Sequence, residues 1–95
     1  MRKYGLVEWD EEKEAINLRK HGVSFVEAAT VLNDPLYLSI EDHEHSEDEP
    51  RFRATGLSSE GRVLVLTYTY RGKSLYRLIS ARVATHRERR LYEES

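Results

Sequence analysis

Two spacings of hydrophobic and polar positions alternate along this chain, and together they predict a protein of mixed α and β structure. A short apolar run at residues 6–9 predicts a strand. A helix follows over residues 11–21, with Asp10 as its N-cap. A second helix opens at Ser24, which begins a capping box, and it ends before Pro35 because the residue before a proline leaves the helical region.

The second half of the chain has the period-two spacing of strands. Residues 36–41 alternate between apolar and polar and predict a strand with one buried face. Short turns separate three further strands and indicate an antiparallel meander over residues 51–57, 62–70 and 75–82. A capping box at Thr85 then predicts a last helix over residues 86–94.

The predicted order of elements is β-α-α-β-β-β-β-α, which is typical of an α+β fold. We expect a small antiparallel sheet with the helices packed on one of its faces. The 95 residues, 39% of them hydrophobic, suffice for one modest core. A single domain over residues 1–95 is therefore expected.

Composition narrows the chemistry and the location. Cysteine is absent, which excludes disulfides, thiolate catalysis and cysteine-based zinc sites. No apolar run approaches the ~20 residues that span a bilayer, and the N-terminal residues lack the apolar core of a signal peptide. We expect a soluble cytoplasmic protein that does not contact a membrane.

Charge is distributed unevenly between the two halves of the chain. Residues 1–50 contain 5 Lys and Arg against 13 Asp and Glu, whereas residues 51–95 contain 10 against 4. The basic half could bind a polyanion such as RNA, or the two halves could pair with each other.

An acidic segment at residues 41–50 carries six carboxylates together with His43 and His45. Imidazole and carboxylate groups bind several divalent ions, so a metal site is one interpretation. These residues are consecutive and are not spaced on a defined scaffold, which favours a solvated loop. We therefore predict no metal site and no cofactor.

Arginines recur in the predicted meander, and tyrosines are interleaved with them. A guanidinium group binds a phosphate through two parallel hydrogen bonds, and a tyrosine ring can stack on a base. Tyrosine is also common in half-buried strands for structural reasons. Arg77 and Arg82 lie within an apolar strand, where charges are rare, and this position indicates function.

Five motifs together resemble one family. They are W-D-x-x-K at residues 9–13, N-L-R-K-H-G-V-S-F at 17–25, E-A-A-T-V-L-N-D-P at 27–35, G-L-S-S at 56–59 and R-L-I-S-A-R-x-A-T at 77–85. In combination they resemble the BrnT family of ribonuclease toxins from bacterial type II toxin–antitoxin pairs, whose fold is similar to that of RelE toxins. The resemblance extends over about residues 6–93.

The resemblance implies an endoribonuclease that inhibits translation and growth, and the arginine-rich meander without a credible set of metal ligands predicts metal-independent cleavage. Cleavage through the adjacent 2′-hydroxyl needs a base, an acid and cations for the charged intermediate. His21 is the first candidate for acid or base, with Lys20 as a rival or helper. The expected catalytic residues are Lys20, His21, Arg51, Arg77 and Arg82, and the expected substrate-binding residues are Lys13, Tyr68, Tyr70 and Arg71.

One position departs from the family pattern. Relatives usually carry a glutamate directly before the arginine that matches Arg51, but this chain has Pro50 there and Glu49 one step earlier. If the acid has a role in relatives, this protein uses Glu49 in a shifted loop or lacks that role.

The resemblance also implies partners. We expect a cognate antitoxin of the ribbon-helix-helix type, an RNA substrate, and contact with operator DNA only through the antitoxin. The antitoxin would cover the cationic surface with acidic groups or pack over the last helix. Two alternatives stay open: a catalytically weak RNA- or ribosome-binding module on the same fold, and a domain that binds only protein.

Overall fold

The computed structural model describes residues 1–45, 49–72 and 75–95 and confirms the α+β fold. The strands are β1 (Arg2–Tyr4), β2 (Val7–Trp9), β3 (Leu38–Glu41), β4 (Phe52–Leu57), β5 (Val63–Arg71) and β6 (Leu75–Val83). The α-helices are α1 (Glu11–His21), α2 (Phe25–Thr30) and α3 (His86–Glu94), and short 3₁₀ helices lie at Val31–Asn33 and His43–His45.

The strands form a six-stranded sheet in the order β1-β2-β6-β5-β4-β3. All neighbouring pairs are antiparallel except β2 and β6, which are parallel, with Glu8 opposite Arg77. The sequence predicts five strands in an antiparallel sheet, whereas the structure adds β1 and pairs β2 with β6 in parallel. β1 has three exposed residues and therefore gives no apolar periodicity. The pairing of β2 with β6 joins distant parts of the chain, and local spacing does not encode it.

The two faces of the sheet differ. Helices α1 and α2 cover one face, where Trp9, Phe25 and Leu66 belong to the buried core. Helix α3 lies against the opposite face, where Glu88 and Leu91 help to line a groove with side chains of β3, β4 and β5. The expectation that the helices share one face is thus wrong for α3.

A β-bulge in β6 decides which side chains share a face. Tyr68 pairs with Leu78, but the preceding residue of β5 pairs with Ser80, so Ile79 is the extra residue. Without a bulge, residues an odd number of positions apart point to opposite faces. With it, Leu78 and Ala81 both enter the core, and Arg77 and Arg82 both face away from it.

A corner beside β4 joins three elements. The Asp34 carboxylate accepts a hydrogen bond from the Leu57 amide at 2.8 Å and another from the Tyr92 hydroxyl at 2.5 Å. Gly56 allows this close approach, because a Cβ atom there would lie 2.8 Å from the Cβ of Tyr37. Asp34 therefore connects the end of the helical segment, β4 and α3.

Asn17 attaches α1 to the sheet. Its side chain is 5% exposed. The Nδ2 group donates to the carbonyls of Val23 at 2.9 Å and Ala81 at 2.8 Å, and Oδ1 accepts from the Ala81 amide at 3.1 Å. Strand β2 ends before it reaches Ala81, so this side chain satisfies backbone groups that would otherwise be buried without partners.

We expect Asn17→Ala to lower the free energy of unfolding by about 2–4 kcal/mol, because it leaves three buried backbone groups without partners. Urea unfolding followed by circular dichroism would measure the loss. The matched control is Asn33→Ala at an exposed position, which should change the stability by less than about 0.5 kcal/mol. Equal stabilities for the two variants would contradict this structural role of Asn17.

Candidate active site

A polar pocket of about 140 Å³ lies where the C-terminal ends of β2 and β5 meet the N-terminal ends of β4 and β6. We call it the cationic pocket, and it is lined by Asp10, Lys13, Glu49, Arg51, Thr69, Arg71, Arg77, Leu78 and Ile79. Larger hollows occur elsewhere, including the apolar groove of about 300 Å³ beside α3. The cationic pocket is distinguished by its chemistry.

The start of α1 brings Lys13 to the pocket. Trp9 at the end of β2 is buried, which anchors the junction between strand and helix. Asp10 caps the helix by accepting from the amides of Glu12 at 2.7 Å and Lys13 at 3.4 Å. The Asp10 carboxylate is therefore already used by the fold, and Lys13 is held in the first turn.

The sheet supplies the other cations. Thr69 of β5 lies directly opposite Arg77 of β6, and Arg71 follows on the same face of β5. Arg51 and Glu49 come from the segment that precedes β4. The pocket thus gathers Lys13, Arg51, Arg71 and Arg77 from distant parts of the chain.

Carboxylates from the acidic half of the chain pair with these arginines. The Nε atom of Arg77 lies 3.4 Å from Glu8, and Arg71 lies 3.6 Å from Glu49. Outside the pocket, Glu27 of α2 binds Arg62 and lies in the same buried network as Ser58. The two halves of the chain therefore do pair with each other, as one of the two charge-based interpretations predicted.

Arg82 does not line the pocket. Its guanidinium forms a two-point ion pair with Glu88, at 2.7 and 2.9 Å. The hydrogen bonds from Arg82, opposed by burial and assisted by the Thr85 amide, lower the pKa of Glu88 from its ordinary 4.5 to about 2. Glu88 also completes the capping box with Thr85. In this conformation Arg82 fixes the start of α3.

Lys20 and His21 lie at the other end of α1. They are exposed residues of its last turn, about 10 Å along the axis from Lys13 at 1.5 Å per residue. Arg62 marks where this end of the helix meets the sheet, because it donates to the carbonyl of Gly22 at 3.2 Å. Arg62 directly precedes β5 and lies roughly 20 Å along the strand from Thr69 of the pocket, at ~3.3 Å per residue. The structure does not bring Lys20 or His21 to the pocket.

The two tyrosines predicted to bind substrate lie on the core face of β5. Tyr68 is 1% exposed, its hydroxyl is 2.7 Å from that of Ser39, and burial raises its pKa to about 12. Tyr70 is half-exposed and packs against Phe52 and Tyr76. Strand alternation therefore places both tyrosine rings on the face opposite Arg77.

Within the described ranges, no group of three His, Asp or Glu side chains is arranged to hold a metal ion. His43 forms an exposed contact with Glu41 at 3.0 Å, and the side chain of His45 lies outside the description. None of the helices in these ranges combines the length and the apolar character needed to cross a bilayer.

Five residues that line the pocket were not among the predicted site residues: Asp10, Glu49, Thr69, Leu78 and Ile79. Glu49 was noticed only as a departure from the family pattern, and its partner Arg71 was identified separately. Thr69 gave no signal of its own, because threonine is a common strand residue. The alternation of tyrosine with Thr69 and Arg71 along β5 could have placed it on the cationic face.

Fold and pocket together define a small α+β protein with a pocket on its sheet that four cationic side chains line. A family model described as the ribonuclease toxin BrnT of type II toxin–antitoxin systems matches residues 9–88. This match covers most of the chain, so the protein belongs to the BrnT family, as its motifs predicted.

A solved structure supports the fold. The crystal structure of the Brucella abortus ribonuclease toxin BrnT matches with a TM-score of 0.66 at 22% sequence identity, covering 84% of this chain and 96% of that one. A comparison with curated proteins gives no significant match.

The Arg82–Glu88 pair predicts a specific loss of stability in acid. The pKa of Glu88 is lower in the folded than in the unfolded state. The ion pair therefore contributes fully to the free energy of unfolding above pH 4.5, and this contribution is lost as the pH falls towards about 2. Over this pH range, denaturant unfolding should show that the free energy of unfolding falls more steeply for the wild type than for Glu88→Gln, which keeps a capping side chain. Glu93→Gln, at an exposed pair with Arg89, is the control and should follow the wild type. Parallel curves for all three proteins would contradict the prediction.

Proposed function

We propose that this protein is the toxin of a type II pair and acts in the cytoplasm by cleaving RNA at the cationic pocket. One observation carries the proposal: four cationic side chains and a carboxylate not used for helix capping line a single pocket of about 140 Å³. Its size suits a phosphate group, because pockets for whole drug-sized ligands usually measure ~300–1,000 Å³.

The scissile phosphate would be held by guanidinium groups. Arg51, Arg71 and Arg77 offer planar N–H donors that match phosphate oxygens and keep their charge at any physiological pH. Glu8 restrains Arg77 from one side through the Nε atom. The Nη2 atom donates to the sulfur of Met1 at 2.8 Å, an exposed contact that a phosphate oxygen would replace. As negative charge grows on the phosphorane, these fixed cations stabilise it.

Proton transfer is assigned to Glu49 and Lys13. The Glu49 carboxylate takes the proton from the 2′-hydroxyl, whose oxygen forms a bond to phosphorus. The bond from phosphorus to the 5′-oxygen breaks, and the Lys13 ammonium protonates that oxygen. The products are a 2′,3′-cyclic phosphate and a 5′-hydroxyl. Asp10 is not assigned a proton because it caps α1.

Metal independence follows from the charge of the pocket. Lys13 and the three arginines supply the positive charge that a divalent ion would otherwise bring to the phosphate. The same cations repel a metal ion from the site. The RNA phosphate is thus the expected counterion.

Purified protein freed of any partner should cleave RNA in excess chelator and leave a 2′,3′-cyclic phosphate. Glu49→Gln should slow cleavage by about 10²–10⁴-fold through loss of the base. Arg77→Ala should slow it by about 10²–10³-fold through loss of charge stabilisation. Single-turnover cleavage of a labelled oligonucleotide measures both rates.

Arg19→Ala is the matched control, because Arg19 is an exposed arginine in the last turn of α1 and does not line the pocket. His21→Ala tests the competing site at that end of the helix. Loss of cleavage in His21→Ala with full activity in Glu49→Gln would overturn our assignment. RNA binding without cleavage would favour a catalytically weak RNA-binding module, and a requirement for a divalent ion would overturn metal independence.

A partner is expected from the family, since a free ribonuclease would damage its own cell. We propose an antitoxin of the ribbon-helix-helix type that covers the cationic pocket. Acidic groups would be attracted there by the same side chains that hold RNA. Contact with operator DNA would come from the antitoxin and not from this chain.

The complex with the antitoxin should have no ribonuclease activity and a higher melting temperature than the toxin alone, because the antitoxin binds only the folded toxin. Co-expression with the neighbouring small open reading frame, followed by cleavage and melting assays, tests this. Arg71→Ala should weaken the complex more than the control Arg19→Ala. If toxicity persists with the partner bound, or the toxin alone binds the promoter as tightly as the pair does, the toxin–antitoxin assignment fails.

A further inference from the structure

The hydroxyl group of Thr69 is buried and has no hydrogen-bond partner among the residues that the structure describes. The residue is 1% exposed, and no group in the described part of the chain forms a hydrogen bond with Oγ1. Buried polar groups in folded proteins are almost always hydrogen-bonded. Valine has nearly the same shape, is equally suited to a strand and would avoid this cost. The stability of the fold therefore does not explain the hydroxyl.

The other such atom in the described ranges is Nε of Arg53. It differs from Thr69 because the Asp42 carboxylate lies 3.9 Å away and can compensate its charge. The charged side chains that line the pocket with Thr69 are four cations and the carboxylates of Asp10 and Glu49, and within the described ranges neither carboxylate forms a hydrogen bond with Oγ1.

These cations determine what the hydroxyl can bind. Thr69 lies opposite Arg77 and lines the cationic pocket with Lys13, Arg51 and Arg71. Guanidinium and ammonium groups are donors only, so they cannot accept the hydroxyl proton. An anion that enters the pocket brings oxygens that can accept a hydrogen bond from the Thr69 hydroxyl.

We propose that Thr69 is a substrate-contacting residue whose hydroxyl donates a hydrogen bond to a non-bridging oxygen of the RNA phosphate. The inference rests on the proposed function and adds a contact to it. This contact requires the side chains that cover Thr69 to move when the phosphate binds, because the residue is 1% exposed. Because a phosphate contact carries no sequence information, Thr69 contributes equally at every cleavage site.

The experiment compares Thr69→Val, Thr69→Ser and the control Thr67→Val. Thr67 lies on the same face of β5 but outside the pocket. Thr69→Val should lower kcat/KM by about 10- to 100-fold, the loss expected for one hydrogen bond to a charged group. The loss should be the same for substrates of different sequence. Its melting temperature should equal or exceed that of the wild type, because an unsatisfied hydroxyl is removed.

Thr69→Ser should keep most of the activity, and Thr67→Val should cleave like the wild type. A second readout is the affinity for a 2′-deoxy oligonucleotide, which cannot be cleaved through a 2′-hydroxyl, and Thr69→Val should weaken this binding. A merely structural role would lower the melting temperature without such a selective loss.

Wild-type cleavage and affinity in Thr69→Val would overturn the proposal, as would a fall in its melting temperature that accounts for lost activity. A loss confined to some RNA sequences would also overturn it, because that result indicates a base contact. If the wild type itself cleaves no RNA, the proposed function fails, and the 2′-deoxy oligonucleotide still decides whether Thr69 contacts a phosphate.

Discussion

The attachment of α1 to β6 through Asn17 is the interaction on which the rest of the molecule depends. One buried amide binds both backbone groups of Ala81 and the carbonyl of Val23, so helix, following loop and strand are fixed together. It takes the place of a neighbouring strand where β2 has ended. Because the same helix starts beside Arg77 and the same strand carries that arginine, fixing one against the other also sets where Lys13 meets the sheet.

The bulge at Ile79 is the second constraint, because it places the arginines of β6 on the face opposite the core. It lets Leu78 and Ala81 both pack inwards while Arg77 and Arg82 both point outwards. On β5, alternation places Tyr68 and Tyr70 on the core face and Thr69 and Arg71 on the face of the cationic pocket. Arg77 remains in the pocket, but Arg82 meets the first turn of α3 and is held there by Glu88. Two arginines that look equivalent in the sequence thus acquire different surroundings.

Much of the fold could be predicted because local physics specifies it. The caps at Asp10, Ser24 and Thr85 lie where their side chains suggest, and α1 and α3 have the predicted bounds. Pairing between distant segments could not be predicted in this way, which is why β1, the parallel pair and the position of α3 were missed. For the site, residue type favoured His21, and its place at the end of α1 was predicted correctly; that the cationic pocket lies at the other end of this helix depends on the tertiary structure. Thr69 can be recognised only from the structure, because its buried hydroxyl has no hydrogen-bond partner among the described residues.

The uneven charge of the chain has a physical explanation in the ion pairs between its two halves. A cluster of cations is costly in the free protein, so carboxylates from the acidic half stand beside it as internal counterions. The exposed Glu49–Arg71 pair at 3.6 Å is of the kind that contributes ~0–1 kcal/mol, and a phosphate can therefore replace Glu49 at little cost. Replacement would release the carboxylate at the moment when a substrate hydroxyl arrives. The more buried Glu8–Arg77 pair keeps its geometry and holds the guanidinium in position. Under the proposed function, the weak Glu49–Arg71 pair would yield to a substrate phosphate while the more buried Glu8–Arg77 pair keeps Arg77 in place.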